Sequence, residues 1–214
     1  MIELIAFLGN PGKEYSRNRH NAGFLLAEKL KFYQALSWQK KFAAFYAVLE
    51  RDRLPDYLPD ANQDEFPSRL HFLMPQTFMN RSGQSVSQAA SFFKIKTDSI
   101  IVVHDELELP LGTVSLKMGG GLGGHNGLRS MKASIGSADF WRIRIGLGRP
   151  DSRRPGEGGA QGSGEGIVDW VLSDFASGEE ETLNRALEAG AELLYRALVS
   201  DPEGLLPEWA KKKV

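Results

Sequence analysis

Four β-branched residues in a row, Ile100-Ile101-Val102-Val103, lead directly into His104-Asp105-Glu106. A strand takes such a run only when both of its faces are buried, so residues 99–103 are expected in the centre of a sheet covered by helices. The aspartate that follows is costly to bury unless it is paired. It reads either as a cap or turn residue or as part of a site.

Other segments fit around that strand. Residues 2–8 are a short apolar run broken at Gly9-Asn10-Pro11-Gly12, a buried strand meeting a turn. Helical spacing follows over 22–36, with Leu26, Leu30 and Tyr33 on one face. Phe42, Ala44, Tyr46 and Val48 alternate as in a half-exposed strand. Residues 54–67, with three prolines and four acidic residues, read as a loop. A strand at 70–74 and a helix at 85–94 come next.

Residues 112–118 make another strand, and six glycines fall between Gly119 and Gly127. A helix then carries Leu128, Met131 and Ile135, with Gly136 as its stop. Residues 141–147 are the last strand. The segment 151–166, rich in Gly, Arg and Ser, has no apolar periodicity and is expected to be a mobile, non-essential flap. Ser177 and Glu180 have capping-box spacing at the head of a long helix whose apolar face holds Leu183, Leu187, Leu194 and Leu198. Strands and helices interleave throughout, which favours one three-layer α/β/α domain over residues 1–200, with a mixed, mostly parallel twisted sheet. Residues 201–214 are expected to be a C-terminal tail, with Lys211-Lys212-Lys213 as a solubilising end.

Composition narrows the chemistry. The chain has 214 residues and no cysteine, so disulfides, thiolate catalysis and cysteine-ligated zinc are excluded. No apolar run approaches the roughly 20 residues that span a bilayer, and the start of the chain has no signal-peptide pattern. A cytoplasmic enzyme without membrane association is the expectation. The formal net charge of −1 means that any nucleic acid must be held by a local basic patch.

Polar residues gather at the expected strand ends and turns: Asn10, His20, Asn80, Asp105 and Asn126. The imidazole can take a proton near neutral pH, the carboxylate can fix its orientation, and the amides can hold a carbonyl or a developing oxyanion. Such a set activates water against an acyl group. His71 alternates within a strand and reads as structural, whereas His104 and His125 sit at element ends and fit either role.

Asp105, Glu106 and Glu108 cluster with His104, but neither a magnesium nor a zinc spacing is present, so no metal is expected. The run Gly119 to Gly124 satisfies GxGxxG yet lacks the acidic residue on the next strand, so it is weak evidence for a dinucleotide. It suits a turn that lets substrate approach bare backbone, with Asn126 at the helix start. Lys117, Arg142 and Arg144 lie beside this loop, as either a solvated face or a phosphate clamp.

Several of these blocks together resemble bacterial-type peptidyl-tRNA hydrolase. They are Leu8-Gly9-Asn10-Pro11-Gly12, Glu14-Tyr15, Arg19-His20-Asn21-Ala22-Gly23, Pro75 to Gly83 (reading PQTFMNRSG), His104-Asp105-Glu106-Leu107, Gly123-Gly124-His125-Asn126-Gly127-Leu128 and Arg142 to Pro150 (reading RIRIGLGRP). They run in family order from residue 8 to 150. The resemblance implies hydrolysis of the ester between a peptide and the 3′ end of tRNA, by a monomer that needs no cofactor or metal.

It also implies roles. His20 matches the catalytic histidine, Asp105 its partner, and Asn10, Asn80 and Asn126 the substrate-binding asparagines; in the water-activation scheme these residues suggest, Asn10 or Asn126 would meet the oxyanion. Asn21, Met79, Tyr15 and His125 fall in substrate-binding positions, and Lys117 and Arg144 where the family grips the tRNA 5′-phosphate. Asn18 stands where threonine is usual, Leu122 where a polar or small residue is frequent, residues 151–166 look longer than usual, and 204–214 lack the usual ending. The rival expectation is a non-catalytic RNA-binding relative of the same fold.

Overall fold

A computed structural model describes residues 1–57, 66–150 and 164–214. The expected flap at 151–166 lies largely outside the described residues, as does most of the expected loop at 54–67.

The described elements are β1 (Leu4–Phe7), α1 (Ala22–Glu28), β2 (Gln39–Lys41), β3 (Ala44–Glu50), β4 (Arg69–Pro75), α2 (Ser82–Phe93), β5 (Ile100–Glu106), β6 (Thr113–Met118), α3 (Asn126–Ile135), β7 (Trp141–Gly146), α4 (Gly164–Leu172), α5 (Glu180–Val199), α6 (Leu206–Trp209) and β8 (Lys212–Lys213). The strands form one sheet in the order β2-β3-β4-β1-β5-β7-β6-β8. Its four central strands, β4-β1-β5-β7, are parallel. Antiparallel pairs extend it on both sides, so the sheet is mixed as expected but not mostly parallel: among the described strands three pairs are parallel and four antiparallel, the parallel ones confined to its middle.

Strand alternation sorts the core into two layers. Ile5, Phe7, Ile101 and Val103 pack with Leu26, Leu187 and Leu194 of α1 and α5. Leu4, Ala6, Ile100 and Val102 pack with Val86, Leu128 and Met131 of α2 and α3. The Ile/Val run is therefore buried on both faces, as its composition requires. Gly23 lets α1 lie directly on the sheet, since a Cβ there would sit 2.4 Å from the Leu8 carbonyl oxygen and 2.6 Å from that of Val103.

Three expectations change. The helix expected over 22–36 stops at Glu28. The chain turns so that Phe32 can enter the core against the rings of Tyr57, Phe72 and Tyr195, and this burial overrides the helical spacing. The carboxylate that caps the turn before α5 belongs to Glu179, whose Oε2 accepts the Ala176 N–H at 2.8 Å, rather than to the Ser177–Glu180 pair.

Residues 201–214 are not a tail. Trp209 is fully buried, Lys212 and Lys213 pair with Val114 and Thr113, and the Lys212 ammonium lies 4.0 Å from the centre of the Trp209 ring. Lysine suits this position because β8 is a sheet edge, where charge blocks further strand addition.

In the sheet β1 lies between β4 and β5, the point from which the strand order runs out in both directions. In sheets of this kind, ligands bind beyond the carboxyl ends of the strands at such a point.

Candidate active site

His20 and Asp105 arrive from different directions. His20 lies in a 3-10 turn, Arg19–Asn21, that leads into α1. Asp105 is still within β5, paired with Ile145 of β7, one turn of pleat deeper than a strand ending at Val103 would put it. The His20 Nδ1 is 2.9 Å from Asp105 Oδ1, and both residues are buried. The charges of His20 and His125 and their hydrogen bonds overcome the burial that opposes ionisation, and they hold the Asp105 carboxyl well below the usual carboxylate range. An ionised carboxylate only accepts, so His20 must donate Nδ1–H, which leaves Nε2 as its basic atom. Burial opposes the His20 imidazolium, but the Asp105 charge and hydrogen bond outweigh it and raise the pKa above 6.5.

His125 completes the group. Its Nδ1 accepts the backbone N–H groups of Gly127 at 3.1 Å and Leu128 at 3.4 Å, capping α3. Its proton is therefore on Nε2, which donates to Asp105 Oδ1 at 3.0 Å. The same oxygen serves both imidazoles, whose ring centres are 4.8 Å apart. His125 thus orients the carboxylate, a role its substrate-binding expectation did not include.

The ligand atoms of His20, Asp105 and His125 lie within 4.8 Å of one another, close enough in principle for a cation. A metal on His125 Nε2 would need a proton on Nδ1, where two backbone N–H groups already point. The donor set does not fit a resident metal.

Asn10 follows β1 and is nearly buried. Its Oδ1 accepts the Met79 N–H at 2.7 Å, so its NH₂ group remains to donate. Asn21 is 1% exposed and its amide is engaged by the Asn10 backbone: its Oδ1 accepts the Asn10 N–H at 2.8 Å and its Nδ2 donates to the Asn10 carbonyl at 3.1 Å. It clamps the backbone of Asn10, a role its substrate-binding expectation did not include. Met79 is buried beside Gly127. Asn80 and Asn126 are exposed, Asn80 on the turn pinned by the Met79–Asn10 bond and Asn126 at the first residue of α3. Tyr15 is half-exposed on its own short turn.

A cavity of about 330 Å³ opens over this group. It is lined by His20, Asp105, His125 and Asn126, by Gly123 and Gly124 of the glycine loop, and by Ile167, Val168 and Val171 of α4. Both loop glycines have positive φ, 57° and 78°, a conformation that side chains resist and that keeps the loop close to the site. Arg142 anchors the loop from below, donating to the carbonyls of Gly120 at 3.0 Å and Gly121 at 2.7 Å. It is 1% exposed, so it is neither a solvated cation nor a phosphate ligand.

Arg144, on the same face of β7, donates to Ser115 Oγ at 2.7 Å and lies 3.5 Å from Glu106 Oε2. Lys117 faces Arg142 across β6 and β7, with its side chain beneath Gly120. The structure places the two expected phosphate ligands on one face, with Arg144 already partnered.

Of the remaining histidines, His71 is structural as expected. Tyr46 Oη is 2.9 Å from its Nδ1, the Phe93 ring stacks on it at 4.0 Å, and burial followed by the Arg69 charge lowers its pKa to about 4. His104 is buried, donates Nδ1–H to the Asp105 carbonyl at 2.6 Å, and is held neutral chiefly by burial. Sequence reasoning passed over the supporting roles of Arg142 and Glu106 and the α4 wall. A doubly basic strand beside a glycine loop was the available signal for Arg142, and α4 begins inside the segment taken as irregular.

An open α/β sheet carrying a buried His–Asp pair, a second imidazole on the same carboxylate and a free amide donor defines a hydrolase-type site. The chain belongs to the peptidyl-tRNA hydrolase family, whose model matches residues 4–213. It is 42% identical to the peptidyl-tRNA hydrolase of Treponema pallidum (strain Nichols) over 216 residues, covering all of this chain and 96% of that protein. Its fold is similar to the crystal structure of peptidyl-tRNA hydrolase from Acinetobacter baumannii, with a TM-score of 0.75, 33% identity, and coverage of 97% of this chain and 91% of that one. It is equally similar, at 32% identity, to a complex of peptidyl-tRNA hydrolase with N-propanol.

Proposed function

We infer that His20 is the base with which this hydrolase cleaves the ester between a peptide and the 3′ end of its tRNA. The observation that carries this reading is the shared Asp105 oxygen, which holds the Nδ1–H of His20 and leaves its Nε2 free to face a water. As water attacks the ester carbonyl, Nε2 takes its proton and Asp105 stabilises the imidazolium. The Asn10 NH₂ group, or Asn126 at the head of α3, donates to the oxyanion, an interaction whose loss typically costs about 2.7–4 kcal/mol. The ribose oxygen leaves with the proton returned by His20. An ester needs no strong acid for that departure.

Asn80 and Asn126, both exposed, bind the peptide backbone, Tyr15 contributes apolar surface, and Met79, buried against Gly127, backs the head of α3. Lys117 and Arg144 hold the tRNA 5′-phosphate. The reading takes the protein to act as a cytoplasmic monomer without cofactor. Among the described residues, no helix is long and apolar enough to cross a membrane.

Incubating the protein with N-blocked aminoacyl-tRNA and following ester cleavage tests the assignment. The wild type should release free tRNA and His20→Asn should not. Cleavage by that variant at the wild-type rate would remove His20 from the mechanism.

A further inference from the structure

Arg19 immediately precedes His20 and is 3% exposed, an unusual setting for a guanidinium. Its Nη2 donates to Glu179 Oε2 at 2.6 Å and its Nη1 to Oε1 at 3.4 Å. Its carbon centre lies 3.7 Å from the middle of the Trp170 ring and 4.8 Å from that of Phe175. Nε reaches Ser173 Oγ at 3.3 Å, and the backbone N–H donates to the Ser173 carbonyl at 3.0 Å. Glu179 cannot turn away, because its Oε2 also accepts the Ala176 N–H. One residue earlier, Asn18 Nδ2 donates to the carbonyl of Leu172, the last residue of α4, at 2.5 Å. The loop carrying His20 is thus bolted to the end of the helix whose Ile167, Val168 and Val171 wall the cavity.

We propose that Arg19 is a positioning residue for hydrolysis: clasped by Glu179, Trp170 and Phe175, it fixes the backbone from which His20 projects and sets α4 against the site. The planar fork and the two aromatic faces define its orientation, which a point charge cannot reproduce. A buried cation left without its carboxylate shifts its surroundings instead of staying in place. This proposal rests on His20 being the base. Among the described residues, the charged and titratable side chains facing His20 are Asp105 and His125, so a displaced loop shows first as an altered His20–Asp105 contact.

The experiment compares Arg19→Lys and Glu179→Gln with wild type in three measurements: kcat and KM on peptidyl-tRNA, the pH profile of kcat/KM, and NMR titration of the His20 ring nitrogens. Glu179 is on the surface side of the contact, so Glu179→Gln reports even if Arg19→Lys does not fold.

Positioning predicts kcat falling by about 10²-fold in Arg19→Lys, the scale of a misplacement near 1 Å, with KM unchanged. It also predicts that the His20 titration drops towards the ordinary histidine value in both variants. Folded variants with wild-type kcat and His20 titration would overturn the proposal, as would a change confined to thermal stability. A wild-type rate profile that does not track the His20 titration would instead remove His20 as the base, which separates the failure of that reading from the failure of this one.

Discussion

His125 and Asp105 are joined at 3.0 Å by a bond whose direction is set from outside the pair, because the N–H groups of α3 occupy the other nitrogen of the ring. The carboxylate consequently meets two imidazoles on one oxygen, and the proton positions of both rings follow. From this arrangement the pH behaviour of the reaction can be given a sign.

With His20 as the proposed base, which works only when neutral, kcat/KM should rise with pH along a single limb centred above 6.5, where the Asp105 charge holds the His20 pKa. Asp105→Asn removes that charge and leaves burial, so the limb should move to lower pH while kcat falls by about 10²-fold or more. A pH-rate profile of both proteins checks this, and an unmoved limb would mean that Asp105 does not face His20 in solution.

His125→Ala should move the limb the other way. Without the Nε2–H bond, more of the Asp105 charge is available to His20, which raises its pKa further. The α3 cap is lost in the same variant, at about 1 kcal/mol. Its profile and its melting temperature should therefore both change, and a limb displaced to lower pH would count against the tautomer assigned to His125.

Lys117 should contribute more than Arg144 to tRNA affinity, since Arg144 is shared between Ser115 and Glu106. Lys117→Ala should raise KM for full-length peptidyl-tRNA and lower the log–log salt slope by up to about one unit if one phosphate is engaged. A minimal ester lacking the tRNA body should be cleaved as before. Equal losses on both substrates would show that Lys117 is structural.

Stability should fall on acidification. His71 is held near pKa 4 in the fold against 6.5 for a free imidazole, so the protein binds one proton fewer than the unfolded chain between those values. The stability this neutral ring supports is complete above pH 6.5 and is lost as pH falls towards 4. His71→Gln, which can keep a bond to Tyr46, should flatten the decline in melting temperature across that window.

The C-terminal segment should be required for the fold. Trp209→Ala empties a fully buried site, at a cost of about 3–5 kcal/mol and a melting shift on the order of 10 °C. A variant melting like wild type would restore the reading of 201–214 as a tail.

Local pattern determined the central strands, the helix that Gly136 ends, and the position of Asn10 beyond β1, whereas Asp105 proved to lie inside β5 and His20 in the turn before α1. Alternation, β-branching and glycine act over a few residues and are read directly from neighbours in the chain. The family, too, is legible in blocks such as Arg19-His20-Asn21 and His125-Asn126-Gly127.

What each side chain does within those blocks was decided in three dimensions. Asn21 and Asn80 are both asparagines in matching blocks, yet one is spent on the Asn10 backbone and the other is exposed. Arg142 and Arg144 alternate identically on β7, yet one is buried under a glycine loop and the other shares Glu106. Lys212 and Lys213 form an edge strand on β6, with the Lys212 ammonium over the buried Trp209 ring. A hydrogen bond between residues 20 and 105, or 19 and 179, depends on which elements the core brings together. Burial of Phe32, Trp209 and the two faces of β5 decides that packing, and no window of the sequence contains it.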